Sequence, residues 1–166
     1  SLFGATHTAN LPQNPDGKIG AVWDRFLLRV PVAYVQPTNF VALLQQSQAP
    51  STQLQSCTTE ADLLQLQQWR SVVSVPTDIY QLLAQIRVAL LEKKVVVSDR
   101  RWQKSVAVVQ AQALLAGRMQ VQLEDLKALR LTLWQKPEQI GEIARLLIGL
   151  ISPFESEILE VRDQAE

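Results

Sequence analysis

From Thr59 onward, apolar side chains recur every three to four residues, and this helical period constrains the fold more than any other feature of the chain. Thr59-Glu60-Ala61-Asp62 has the form of a helix cap, and behind it Leu63, Leu66 and Trp69 share one face. Pro76-Thr77-Asp78 starts a second helix. Its Ile79, Leu82, Leu83, Ile86 and Leu90 repeat up to Lys93 and Lys94, cations that suit the negative end of a helix dipole. Val95-Val96-Val97 is a short extended link to Ser98, the N-cap of a central helix with Trp102, Val106, Val109, Ala113 and Ala116 as its predicted core face. Gly117 can end that helix. Leu123 to Trp134 reads as a further amphipathic helix, and Pro137 opens another through Ile151. Beyond it, Ser152-Pro153-Phe154-Glu155 has the form of a capping box. Ile143, Leu147, Leu150, Phe154, Ile158 and Val161 keep a near-heptad stripe across that break, read as core or a helix contact.

The first third of the chain is different. Ser1 to Ala9 reads as the end of a strand running into a loop dense in turn formers, Asn10 to Gly17. Ile19, Val22, Trp23 and Phe26 have the spacing of one helical face, and Phe26 to Val32 alternates as a buried strand. Thr38 to Leu44 is a short helix after Pro37, whereas Gln45 to Ser56 is uncharged, rich in Gln and Ser, and read as a mobile loop. The expected fold class is mainly α, a short β remnant followed by an all-helical bundle.

Sixteen basic residues balance sixteen acidic ones, so no net field attracts nucleic acid or an anionic membrane. The single cysteine, Cys57, excludes an internal disulfide framework and suits a reducing cytosol. The apolar run Leu146 to Ile151 is far shorter than the ~20 residues of a membrane span, and Ser1-Leu2-Phe3-Gly4 does not resemble a signal peptide. A cytoplasmic location is expected. His7 has no second His, Cys or carboxylate at metal spacing, so no metal site is expected.

The residues with chemical promise sit at the start of the central helix. Asp99 suits the positive end of the dipole, but the adjacent Arg100 and Arg101 do not unless an anion lies in front of them. On residue types alone, the favoured reading of the stretch is a solvated first turn with Trp102 simply leading the core face. Val97-Ser98-Asp99-Arg100-Arg101-Trp102-Gln103-Lys104, followed by Ala111-Gln112-Ala113-Leu114-Leu115-Ala116-Gly117-Arg118, resembles the sensor 2 helix of the MoxR-type AAA+ ATPases, most closely the RavA branch. The resemblance runs from about Ala5 to Trp134. Thr38-Asn39-Phe40, similar to an Ala-Asn-Phe segment of that branch, and the Gln122-Leu123-Glu124-Asp125-Leu126 and Leu133-Trp134 pattern belong to it.

The resemblance implies roles for several residues. Arg100 would be the sensor 2 arginine that touches the nucleotide of its own subunit, with Arg101 the alternative. Asp24-Arg25-Phe26-Leu27 resembles the family's Asp-Arg-Phe-Leu, where the arginine is a finger reaching the neighbouring subunit's nucleotide; by itself, Asp24-Arg25 would be a surface ion pair. In the sensor 1 loop, the family's Ala-Ser-Asn-Glu-Leu-Pro is similar to Thr8-Ala9-Asn10-Leu11-Pro12; aligning the Leu-Pro puts Ala9 opposite the asparagine, and a one-residue shift restores Asn10, with Thr8 and His7 as further options.

The implied organisation is residues 1–46 as the C-terminal end of an AAA+ αβ core, 47–58 as a mobile loop, 59–135 as a helical lid carrying sensor 2, and 136–166 as a helical extension. The sequence has no Gly-x-x-x-x-Gly-Lys-Ser/Thr loop, and Gly17-Lys18 lacks both the spacing and the hydroxyl. Nor does it have a strand ending in an acidic pair to hold Mg2+. The implied parent is an ATP- and Mg2+-dependent, chaperone-like remodeller, hexameric and working with a von Willebrand factor A-type partner. This chain alone is expected not to hydrolyse ATP. The alternative is a helical interaction module whose arginines serve a protein or acidic-peptide surface.

Overall fold

A computed structural model describes residues 4–6, 18–46 and 56–151. These residues form α1 (Lys18–Trp23), α2 (Pro37–Gln46), α3 (Glu60–Val72), α4 (Thr77–Glu92), α5 (Asp99–Leu115), a 3-10 helix (Leu123–Leu131) and α6 (Gln139–Ile151). The mainly α architecture is as expected, and the described residues contain no sheet. One parallel bridge, Ser74 to Gln120, ties the α3–α4 link to the α5–3-10 link through Ser74 N–H on Met119 O and Val121 N–H on Ser74 O.

Local chemistry sets the helix ends. Thr59 Oγ1 accepts from Asp62 N–H at 3.2 Å while Asp62 Oδ2 accepts from Thr59 N–H at 2.8 Å, so α3 begins in a reciprocal capping box. α4 and α5 close alike: Lys94 N–H donates to Leu91 O and Val95 N–H to Leu90 O; Gly117 N–H donates to Leu114 O and Arg118 N–H to Ala113 O. This closure needs a left-handed residue, supplied by Gly117 at φ 75° in α5 and by Lys94 at φ 59° in α4.

The core lies where α4, α5, α6 and the 3-10 helix meet. Ile79, Leu83, Ile86 and Leu90 of α4, Val109 and Ala113 of α5, and Ile143 and Leu147 of α6 are buried, together with Leu126, Leu129, Leu133 and Trp134. Each large aliphatic side chain so buried contributes about 1.5–3 kcal/mol. The 3-10 helix packs between α5 and α6, α3 lies on α5, and α4 lies on α6.

Four expectations need correction. Leu123 to Leu131 is a 3-10 helix, not an α-helix; Leu126, Leu129 and Thr132 are all fully buried, and inward residues at every third position match three residues per turn. The core face of α5 begins with Arg101 and Ser105 instead of Trp102, which is half-buried. Phe26 to Val32 joins no ladder among the described residues: Phe26 N–H turns back to Trp23 O at 3.1 Å, and Arg29 N–H reaches across to Leu131 O at 2.9 Å. The segment's outer side chains are uncovered, with Val30 67% and Val32 91% exposed. The face predicted for α3 is likewise only partly used, since that helix has no buried residue. The Ser152 capping box and the stripe residues Phe154, Ile158 and Val161 lie outside the described residues.

Candidate functional site

α5 starts where the sequence puts it. Ser98 Oγ accepts from Arg101 N–H at 3.3 Å and itself donates to Asp24 Oδ2 at 2.9 Å, so the helix cap is joined to the turn after α1. Arg101 points inward, 1% exposed. Its Nε donates to Asp24 Oδ1 at 2.9 Å, Nη1 to Leu27 O at 3.0 Å and Thr132 O at 2.8 Å, and Nη2 to Asp24 O at 2.8 Å and Phe26 O at 3.0 Å. A guanidinium has five N–H donors, and all five are used. Arg101, the alternative phosphate contact of the sequence reading, thus has its five donors on protein acceptors, and its side chain clasps the 24–27 turn to the bundle.

Burial alone would raise the Asp24 carboxyl pKa. The hydrogen bonds from Arg101 and Ser98, with the charges of Arg101 and Arg29, outweigh that and hold it below its usual value. Arg29 is the second buried cation, donating from Nε to Phe26 O at 3.2 Å, from Nη2 to Trp23 O at 3.0 Å and from Nη1 to Trp134 O. Burial and the nearby Arg101 pull its pKa down to about 9 against the opposing pull of Asp24, which leaves it charged at neutral pH. Sequence reasoning missed Arg29; the available signal was a lone cation inside the apolar alternation of Phe26 to Val32.

Arg100 and Arg25 are a different kind of residue. Both are exposed, and among the described residues neither side chain makes a hydrogen bond or ion pair. Asp24 is committed to Arg101, so the Asp24–Arg25 surface pair is not formed, and Asp99 pairs with Arg87 at 2.8 Å, not with Arg100. Arg25 sits in the turn that closes α1, its N–H on Val22 O. Asn10, Thr8 and His7 lie outside the described residues.

A second ion pair braces the far end of α5. Arg118 donates to both oxygens of the buried Asp125, at 2.8 and 2.7 Å, and Asp125 also accepts from Gln122 N–H at 2.8 Å. The hydrogen bond to Asp125 raises the Arg118 pKa above its ordinary value. An open cleft of about 680 Å³ borders Asp78, Gln122, Glu124 and Lys127, and none of the predicted site residues lines it. Among the described residues, no group of three His, Cys, Asp or Glu could hold a metal ion, and no helix is long and apolar enough to cross a membrane.

The helices that build this arrangement, α4 through most of α6, coincide with a known unit. Residues 78–147 match the family model of the AAA lid domain. The match supports an AAA+ ATPase lid, with Arg100 and Arg101 on its central helix and the Asp24–Arg29 turn packed against it from outside the matched span. Two curated relatives come from Methanocaldococcus jannaschii. Uncharacterized protein MJ0079 is 28% identical over 163 residues, 96% of this chain and 40% of the relative. Uncharacterized protein MJ0812 is 27% identical over 166 residues, 98% of this chain and 42% of the relative. The chain thus spans about two fifths of the length of these relatives.

Proposed function

We propose that the chain is the lid and sensor portion of a MoxR/RavA-type AAA+ ATPase, an oligomeric, ATP-driven remodeller. The observation that carries this reading is the contrast at the start of α5, within the matched lid: Arg101 is saturated by protein acceptors, whereas Arg100 is exposed and has no hydrogen-bond or ion-pair partner among the described residues. An arginine in the first turn of a capped helix presents a planar, permanently charged fork suited to phosphate oxygens. Arg100 is accordingly the sensor 2 residue of this reading.

Arg25 is its finger. The turn that bears it is held by hydrogen bonds from Arg101, yet among the described residues the Arg25 side chain itself makes no hydrogen bond or ion pair. Bound ATP and Mg2+ supply the reacting γ-phosphoryl group and its charge neutralisation; of the two arginines, Arg100 holds phosphate on its own subunit and Arg25 meets charge developing on the next. Uncovered Val30, Val32 and Tyr34 on the stretch after Arg29 fit a segment that borders a core sheet in a longer protein. A ring, its hexameric order and a von Willebrand factor A-type partner belong to the same reading.

The test begins with the coding sequence ahead of Ser1, which should contain a P-loop and an acidic strand end. In the full-length protein, Arg100→Ala should weaken ATP binding or turnover about tenfold or more, while the helical circular dichroism spectrum is kept. Unchanged ATPase kinetics would favour the helical interaction module instead.

A further inference from the structure

We propose that Asp24 is a positioning residue that locks the Arg25 turn to the start of α5, so that the arginine facing a subunit's own nucleotide and the arginine offered to the next subunit move as one body. This rests on the reading given under Proposed function. Asp24 precedes Arg25 in the chain, and Arg101 follows Arg100. Consecutive Cα atoms are 3.8 Å apart, so the contacts between Asp24 and Arg101 also tie their two neighbours together.

Three bonds make the lock. Ser98 Oγ donates to Asp24 Oδ2, Arg101 Nε to Asp24 Oδ1, and Arg101 Nη2 to the Asp24 carbonyl. Both carboxylate oxygens are thus used by two residues of the α5 start, and Ser98 is the helix cap itself. The remaining donors of Arg101 hold Leu27 O and Phe26 O on one side and Thr132 O on the other, so the turn, the helix and the bundle share one buried guanidinium. An anion drawn to Arg100 pulls on the first turn of α5, and that pull reaches the Arg25 turn without a flexible joint between them. Arg25 needs this help because, among the described residues, its exposed side chain makes no hydrogen bond or ion pair that would orient it.

The test is a double-mutant cycle in the full-length ATPase. Asp24→Asn keeps the shape and removes the charge that holds both donors; a displaced finger harms the transition state more than ATP binding, so kcat should fall about tenfold with KM changed less than about twofold. In an Arg25→Ala background the same change should have no further effect on single-turnover rate, because a residue acting through Arg25 has nothing left to position. An equal fall in both backgrounds, a KM rise in step with lost kcat, or wild-type kinetics would overturn the proposal. Arg25→Ala and Arg100→Ala run in parallel separate the two ideas. If both impair turnover and Asp24→Asn does not, only the lock is wrong; if neither impairs it, the functional reading and the lock fall together. Should Asp24→Asn not fold, Ser98→Ala carries the same cycle, with a fall of about threefold expected and additivity with Arg25→Ala overturning it.

Discussion

The guanidinium carbon of Arg29 lies 4.4 Å from the centroid of the Trp23 ring, while the same guanidinium donates to the carbonyl oxygens of Trp23 and Trp134. Trp134 closes the arrangement, its ring 6.1 Å from that of Trp23 at an edge-on angle of 63°. A buried cation is costly to hold, and here the cost is offset by carbonyl dipoles and two aromatic rings, with the Asp24 carboxylate acting without a direct hydrogen bond. The result joins the end of α1 to the segment just after the 3-10 helix.

Arg29→Lys keeps a charge but loses the planar fork, leaving one or more of the carbonyls at Trp23, Phe26 and Trp134 without a donor. The substitution should lower unfolding free energy by about 2 kcal/mol, and Arg29→Ala by about 3 kcal/mol. Urea denaturation followed by tryptophan fluorescence measures both. A lysine variant as stable as the parent would show that the fork is not what matters.

Asp24 predicts the direction of acid sensitivity. Its folded pKa lies below 3.8, so the folded state binds the proton less readily than the unfolded state. Its contribution is complete above the unfolded value and is lost as pH falls through the folded one, a window from about pH 5 downward. The stability gap between the parent and Asp24→Asn should therefore narrow as pH is lowered through that window. Parallel curves over the range would contradict it.

The two helix closures predict opposite responses. Lys94 holds a left-handed conformation at φ 59° that costs an L-residue about 1–2 kcal/mol, partly balanced by the entropy a glycine would lose. Lys94→Gly should stabilise by up to about 1 kcal/mol, and Gly117→Ala at φ 75° should destabilise by about 1 kcal/mol. Thermal melting would show the pair moving apart by several degrees, about 2–4 °C for each kcal/mol.

The isolated 166-residue chain should not bind ATP tightly, since its sequence lacks the loop whose backbone N–H groups and lysine cradle phosphates. Calorimetry with ATP and Mg2+ giving micromolar affinity would reverse this expectation.

Arg25 should act in trans. Arg25→Ala in the full-length protein should keep nucleotide binding and lose about 10³-fold or more in turnover. Mixed with a subunit whose P-loop is disabled, it should regain activity at mixed interfaces, where it supplies the intact nucleotide site and its neighbour supplies the arginine. A mixture as inactive as both parents, with mixed assembly confirmed by mass, would assign Arg25 another role.

What the sequence determined by itself was mostly local. The caps at Thr59 and Ser98, the face of Ile79, Leu83, Ile86 and Leu90, and the closure at Gly117 each depend on residues within a few turns, where spacing alone carries the signal. Local too is the first turn that presents Arg100, and so its place at the start of α5 was legible. Only the tertiary structure separated the two arginines into a buried Arg101 and an exposed Arg100. Arg101 finds its acceptors 77 residues earlier at Asp24 and 31 residues later at Thr132, and hydrophobic periodicity has no means of registering a guanidinium whose partners come from such distances. The same limit hid Arg29 and the choice of a 3-10 helix at Leu123–Leu131: a polar group can be buried, or a turn tightened, only when distant segments bring the matching donors, acceptors and apolar surfaces to it.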